Sequence, residues 1–487
     1  MATSGPVPLA SQVQRKPKTF TPSPWGDFFL QHIPCTPSKL LSMKERAQSK
    51  EEEVRQIILE TAASSNLVRK LELVDTLQRI GVDYHYKKEI DDLLCSVYDD
   101  KDGGSDNLYI TSLRFYLLRK HGYGVSSDVF EKFRDEQGNV SSDDITSLLM
   151  LYDAAHLRTH GEEILDNIIT FNKRHLQSLL LVEYLQPEQR DEVQCTLETP
   201  RFRRVNRVEA RRYISVYEKK ATRNATILEF AKLDYNILQA IYCDELKELT
   251  VTTEESDIFT AAMERWDEEI TKQLPTYLKA LFINIRNTTN QIEKELKLKK
   301  NKHAELFKKL VIDMAKNYNA EVKWRDEHFI PSNVEEHLQI SVPSSGCMHI
   351  INLGFISLGD VTTKEDVEWA LTFPKIVRGV CIVGRVGNDI MSHEREQALE
   401  HVVSTVQTCM KQYEVSVEEA NKKLKVVIEE AWMDIVEECL EQNHPMALLE
   451  IAVNVARTCD FMYKHEDAYT LSFSIKDVIA SIYVNSV

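Results

Sequence analysis

The chain is short of the residues that break regular structure. It has 15 glycines and 14 prolines in 487 residues, with 43% hydrophobic residues. That composition suits a globular protein and excludes a low-complexity, disordered one. A basic excess is also missing. The 60 Lys and Arg against 76 Asp and Glu leave a formal charge of −16. This argues against nucleic acid as a partner and gives no reason for binding an anionic membrane. No apolar run approaches the ~20 residues that span a bilayer. None of the nine cysteines forms a CxxC pair, and their number is odd. The expectation is therefore reduced, mostly buried thiols in an intracellular protein. GxSxG and HExxH are absent, so hydrolase and zinc-protease readings have nothing to carry them. The first 24 residues lack acids and are rich in Ser, Thr and Pro. They have little amphipathic character and read as a disordered tail, with the cytosol as the default address.

What is present is helical. Leu67, Val68, Leu71, Val74, Leu77 and Ile80 recur at three- and four-residue steps, which makes one apolar stripe on a helix. Leu424, Ile428, Ala431, Ile435 and Cys439 make a second, and Phe259, Ala262, Trp266 and Ile270 a third. Period-two alternation is nearly absent. Breaks fall at residues 99–107, 136–142 and 186–188. The short gaps predict an all-α array of antiparallel neighbours. Two halves are expected, residues 25–217 and 221–487, with the basic cluster from Arg201 to Arg212 between them. The lysine-rich stretch Glu293–Lys309 is either a solvated helix face or a basic interaction surface.

The chemistry concentrates between Gly384 and Glu396. Asn388, Ser392 and Glu396 are four residues apart and so share one helix face. An amide oxygen, a hydroxyl and a carboxylate are hard ligands of the kind Mg²⁺ prefers. Arg385 lies almost one turn earlier, where a guanidinium meets phosphate oxygens. A solvated face is the plain alternative for the three oxygens, and a structural ion pair for Arg385. Asp389, next to Asn388, reads as a residue that supports the ligands and does not itself bind the metal. Gly384 and Gly387 follow no strand and are not a phosphate loop. They are expected to allow close helix packing.

These residues stand in a wider pattern. Asn388-Asp389-x-x-Ser392-x-x-x-Glu396 resembles the second metal motif of plant class I terpene synthases, (N/D)Dxx(S/T)xxxE. Arg15-Lys16, eight residues before Trp25, is similar to a degenerate form of that family's RRx8W signature. The segment Pro22–Phe29 resembles the usual start of its sesquiterpene branch. Phe115–Gly122, His160–Leu165, Glu209–Tyr217, Leu228–Asp234, Glu321–Trp324 and Gly359-Asp360 extend the resemblance. Asp467-Ala468-Tyr469-Thr470 is similar to a late DGYT motif. The resemblance implies two helical domains, an N-terminal α-barrel-like one and a C-terminal class I bundle around an apolar pocket. It implies Mg²⁺ (or Mn²⁺) as cofactor and an allylic diphosphate as substrate, farnesyl diphosphate for the sesquiterpene branch, handled by a cytosolic monomer of plant secondary metabolism. On this resemblance Asn388, Ser392 and Glu396 hold metal, Arg385 and Asn388 meet the diphosphate, and Asp467 and Tyr469 are pocket candidates. No residue is assigned as catalytic.

One part of the pattern is missing. The family's first metal motif, DDxxD, occurs nowhere: Asp91-Asp92, Asp99-Asp100 and Asp143-Asp144 all lack the third aspartate. DxDD, for protonation-initiated cyclisation, is absent too. Asp244–Thr250 resembles the family before its RxR and DDxxD segment, and Thr252–Asp267 resembles the stretch after it. Between Thr250 and Val251 the family has about sixty more residues, two to three long helices' worth. A clean gap between good matches reads as a skipped exon or a gene-model error. Two readings stand: a sesquiterpene synthase in an incomplete version, and a non-catalytic splice form that binds diphosphate weakly or pairs with full-length relatives.

Overall fold

The structure is a computed structural model that describes residues 24–26, 28–33, 35–100, 105–181, 185–252, 276–327, 329–397 and 403–487. The expected tail and the 259–270 stripe lie outside these residues, apart from Pro24. Among the described residues there are helices and no strands. The first half carries α1 (Phe28–Gln31), α2 (Pro37–Ala63), α3 (Leu67–Arg79), α4 (Lys87–Asp99), α5 (Leu108–Lys120), α6 (Ile145–Ala155), α7 (Glu163–Leu180), α8 (Pro187–Glu198) and α9 (Asn206–Lys219). The second carries α10 (Ala225–Thr252), α11 (Thr276–Leu298), α12 (Ala304–Glu327), α13 (Val334–Ser344), α14 (Cys347–Ser357) and α15 (Lys364–Leu371). It ends with α16 (Lys375–Gln397), α17 (Thr405–Tyr413), α18 (Val417–Glu441), α19 (Met446–Met462) and α20 (Lys476–Tyr483).

Local chemistry accounts for the helix ends. Asn66 accepts a hydrogen bond from Arg69 N at 3.0 Å and starts α3, whose Leu71, Val74 and Leu77 are buried; an N-cap of this kind contributes ~1 kcal/mol. Pro187 stands at the first position of α8, where its missing N–H costs nothing. Thr363 and Asp366 close a reciprocal capping box at α15. The stripe near the end of the chain lies on α18, with Leu424, Ala431, Ile435 and Cys439 buried. Its tightest partner is α16. A Cβ on Gly379 would lie 2.8 Å from the Ala431 carbonyl oxygen, so the two backbones approach as only glycine permits.

One large hydrophobic core runs through both halves, from Val54 and Ile58 on α2 to Leu448 and Ala452 on α19, and a small second cluster gathers Leu148, Tyr152, Leu176 and Val193. The arginine cluster between the halves is an internal brace, not a basic surface. Arg203 donates to both Glu429 oxygens at 2.6 and 2.8 Å, joining the halves through α18. Arg457 Nε donates to the Phe202 carbonyl at 2.6 Å. Arg201 pairs with Asp75, and Arg207 stacks 3.5 Å from the Tyr235 ring centroid. By contrast, Lys294, Lys297, Lys299 and Lys300 are exposed, and Lys297 pairs with Glu293 on its own helix. The Glu293–Lys309 stretch is mostly a solvated face.

Candidate active site

A cavity of about 1010 Å³ lies in the second half, at the upper end of the ~300–1,000 Å³ usual for ligand pockets. Its walls come from α12, α14, α16 and α19 and from the turn after α19. Among the described residues none of the lining comes from α10 or α11. Ile350 and Leu353 of α14 face it while 54% and 38% exposed, so this apolar wall stands open to water. Tyr318, Tyr463 and Tyr469 add aromatic faces.

Arg385, Asn388, Asp389 and Glu396 all border the cavity from α16, and Asp467 and Tyr469 border it from the C-terminal turn. Ser392 does not line it. Its side chain is fully buried, and its hydroxyl makes no hydrogen bond of ordinary geometry. Among the described residues the Asn388 amide has no recorded partner either. Burial pushes the Glu396 carboxyl above its usual range, and the Asp389 charge adds to this. An amide, a hydroxyl and a desolvated carboxylate follow one another along this side of α16, and all three are oxygen donors of the kind a hard cation takes.

Arg385 is anchored from behind. Its Nε donates to the Ser341 carbonyl at 3.2 Å, and its Nη2 to Glu321 Oε2 at 3.3 Å. Its Nη1 lies 3.6 Å from Asp389 Oδ1. Burial alone would favour losing the charge; Glu321 and Asp389 outweigh it and hold the guanidinium firmly protonated. Asp389 turns its other oxygen to Thr405, accepting from the backbone N–H at 2.6 Å and from the hydroxyl. It thereby fixes the start of α17 against α16. Asp389 thus braces Arg385 with one oxygen and links two helices with the other.

Two further groups had no role assigned from the sequence. Arg395 borders the cavity and donates to Asp467 Oδ2 at 2.5 Å. Asp467 is 2% exposed and also accepts from Thr470 N at 3.0 Å. Arg395 lies between Ser392 and Glu396, and that position inside the motif was the signal available. Glu321 was visible only as part of a longer match. Gly384 is needed for packing, since a Cβ there would lie 2.8 Å from Cys347 Sγ. At Gly387 the nearest atom would be Tyr463 Cβ at 3.4 Å, an ordinary contact, so close packing does not require that glycine. His160, Asp434 and Glu437 bring a ring nitrogen and two carboxylates within 4.8 Å of one another nearer the surface, and they border no part of the cavity. Among the described residues no helix is long and apolar enough to cross a membrane.

Residues 24–197 match the family model "Terpene synthase, N-terminal domain", and residues 234–434 match "Terpene synthase family, metal binding domain". The chain is 50% identical to an (E)-beta-caryophyllene synthase of Zea mays, over 95% of both chains. It is 39% identical to a zingiberene synthase of Sorghum bicolor, over 97% of both. The match to the maize protein runs over 522 residues while using 95% of a chain of 487, about 463 residues. Roughly 59 of its positions therefore have no residue of this chain opposite them. In fold, the chain is similar to a limonene synthase crystallised with 2-fluorolinalyl diphosphate, with a TM-score of 0.86 at 24% identity over 96% of this chain and 99% of that one. It is also similar to isoprene synthase from grey poplar, in complex with three Mg²⁺ ions and dimethylallyl-S-thiolodiphosphate. There the TM-score is 0.81 at 24% identity, over 95% and 99% of the two chains. The two domain matches and the curated relatives make this chain a member of the terpene synthase family.

Proposed function

We propose that this cavity is the farnesyl diphosphate site of a cytosolic, monomeric, Mg²⁺-dependent sesquiterpene synthase, and that this version of the chain has lost the wall facing Asn388. The reading is carried by one observation. The α16 face brings Asn388 and Glu396 to the cavity beside Arg385 and Arg395, with the Ser392 hydroxyl buried behind them, and no described residue of α10 or α11 borders the cavity. The absence of DDxxD from the sequence and the roughly 59 unmatched positions support it. The unmatched segment is assigned to Thr250–Val251, in the last turn of α10.

In the complete enzyme the metal supplies charge compensation for the departing diphosphate. The protein's own part is positional. Asn388, Ser392 and Glu396 would hold the cation, with Mn²⁺ as a substitute. Arg385, braced by Glu321 and Asp389, offers its remaining N–H groups to diphosphate oxygens. The tyrosine faces and the apolar α14 wall line the path of a carbocation and exclude water from it. With one wall only, ionisation loses several charge-stabilising groups. Loss of a single such donor costs ~2.7–4 kcal/mol of barrier, so the chain binds diphosphate without turning over farnesyl diphosphate.

Binding is tested on the full chain with inorganic pyrophosphate and Mg²⁺. Ligand at a hundredfold excess over Kd stabilises by about 2.7 kcal/mol, a clear rise in melting temperature. Asn388→Ala and Glu396→Ala are expected to abolish that rise while leaving the unliganded melting temperature within a few degrees. An unchanged rise in both variants would remove α16 from the site.

A further inference from the structure

Three thiols meet beneath Gly384. Cys347 is the first residue of α14, Cys459 lies near the end of α19, and Cys381 sits one turn before Gly384 on α16. Cys347 Sγ and Cys459 Sγ are 3.8 Å apart; a disulfide needs about 2.05 Å. A Cβ at position 384 would lie 2.8 Å from the first sulfur and 3.1 Å from the second, so the bare glycine makes room for the contact. Cys347 and Cys459 both border the cavity, whereas Cys381 is fully buried and does not. Hydrogen bonds from the Cys381 and Cys459 thiols hold the Cys347 thiol well below its ordinary range, against the effect of burial. All nine cysteines are free thiols.

The geometry points to Cys347 and Cys459 as an oxidisable dithiol on the cavity wall, which a small oxidant of the peroxide class converts to a disulfide joining α14 to α19. The cavity gives hydrogen peroxide a path to both sulfurs. The Cys347 thiolate attacks one peroxide oxygen, the O–O bond breaks, and hydroxide leaves and takes up a proton as water. Cys347 is then a sulfenic acid. The Cys459 sulfur attacks the Cys347 sulfur, the S–O bond breaks, and a second water carries away the hydroxyl and the Cys459 proton. Two thiols lose two electrons in all, and one peroxide is reduced to two waters. The step needs neither diphosphate nor metal, so it stands apart from the reading of the cavity as a synthase site. Its structural effect is to tie together two cavity walls that are 112 residues apart in sequence, which raises the melting temperature by restricting the unfolded chain.

The test is a non-reducing peptide map of the purified full chain after mild peroxide treatment and alkylation. The expected result is a linked pair carrying Cys347 and Cys459, two hydrogens lighter than the free peptides and reversed by dithiothreitol. Cys381→Ser should keep the link. Cys459→Ser should lose it and instead yield a dimedone adduct on Cys347. The wild-type map decides the matter even where a variant does not fold. Nine unchanged thiols, a link from Cys347 to Cys381, or a dimedone adduct on wild-type Cys347 without any link would each overturn the assignment.

Discussion

Gly379 and Gly387 lie eight residues apart on α16, and replacement by alanine should move stability in opposite directions. At Gly379 the new Cβ meets the Ala431 carbonyl oxygen at 2.8 Å and Ile435 Cγ1 at 3.0 Å. The carbonyl belongs to the α18 backbone and has no rotamer to yield, so one helix must back away from the other. Overpacking of this kind costs ~1–3 kcal/mol, and the better helix propensity of alanine returns ~1 kcal/mol. Because the obstacle is backbone, the upper part of the range applies, and Gly379→Ala should lose about 1–2 kcal/mol net. At Gly387 the nearest atom would be Tyr463 Cβ at 3.4 Å. Little has to move, and the propensity gain of up to ~1 kcal/mol stands nearly alone. Gly384→Ala should fall between the two, because it presses on the sulfurs of Cys347 and Cys459 and not on backbone. Urea unfolding followed by far-ultraviolet circular dichroism gives the midpoints of parent and variants. A neutral or stabilising Gly379→Ala would refute backbone-to-backbone packing of α16 on α18, the contact that sets the height of Arg385 and Asn388 in the cavity.

Three other outcomes follow from the same structure. Glu209 accepts from Arg79, Arg204 and Arg212 at 2.9–3.3 Å, so Glu209→Gln should cost ~3 kcal/mol by leaving buried guanidiniums short of counter-charge. Burial alone would raise the Glu209 carboxyl, but the Arg204, Arg79 and Arg212 charges hold it well below its usual range. Its contribution is therefore present above that range and lost as pH falls, and the variant should show a shallower acid limb in urea midpoints. Burial, with Arg203 beside it, pushes His156 down to about 3. Its share of stability is complete above its unfolded value near 6.5 and declines as pH falls toward 3, at about 1.4 kcal/mol per pH unit. His156→Gln should flatten that slope between pH 6 and 4, and an unchanged slope would contradict the burial argument. Finally, amplification of the native transcript across codons 250 and 251 should give a longer product encoding DDxxD if the gap is a gene-model error, and the short product if it is a splice form.

Much of this was legible in the sequence, for reasons of range. The stripe from Leu67 falls on α3, and that from Leu424 on α18, because both are set by contacts three and four residues apart. The break at 136–142 falls outside the helices, and that at 186–188 marks the start of α8, where Gln186 precedes the first helical residue, Pro187. Asn388 and Glu396 share the cavity face for the same short-range reason. What could not be read is what holds them there. Glu321 comes to Arg385 from 64 residues earlier and Asp467 to Arg395 from 72 later. Neither pairing leaves a local pattern. Nor did the spacing of Ser392 reveal that its hydroxyl is buried off the cavity wall. The cysteines looked scattered because Cys347 and Cys459 meet only through the packing of α14 on α19 across Gly384.

The central claim is that this fold keeps one wall of a sesquiterpene synthase site and lacks the other. Its most direct test is turnover of farnesyl diphosphate with Mg²⁺ by the purified chain, beside a version carrying the maize relative's unmatched segment between Thr250 and Val251. The expected result is no volatile hydrocarbon above the blank from the first and a sesquiterpene from the second. A sesquiterpene made at comparable rates by the chain as it stands would contradict the claim.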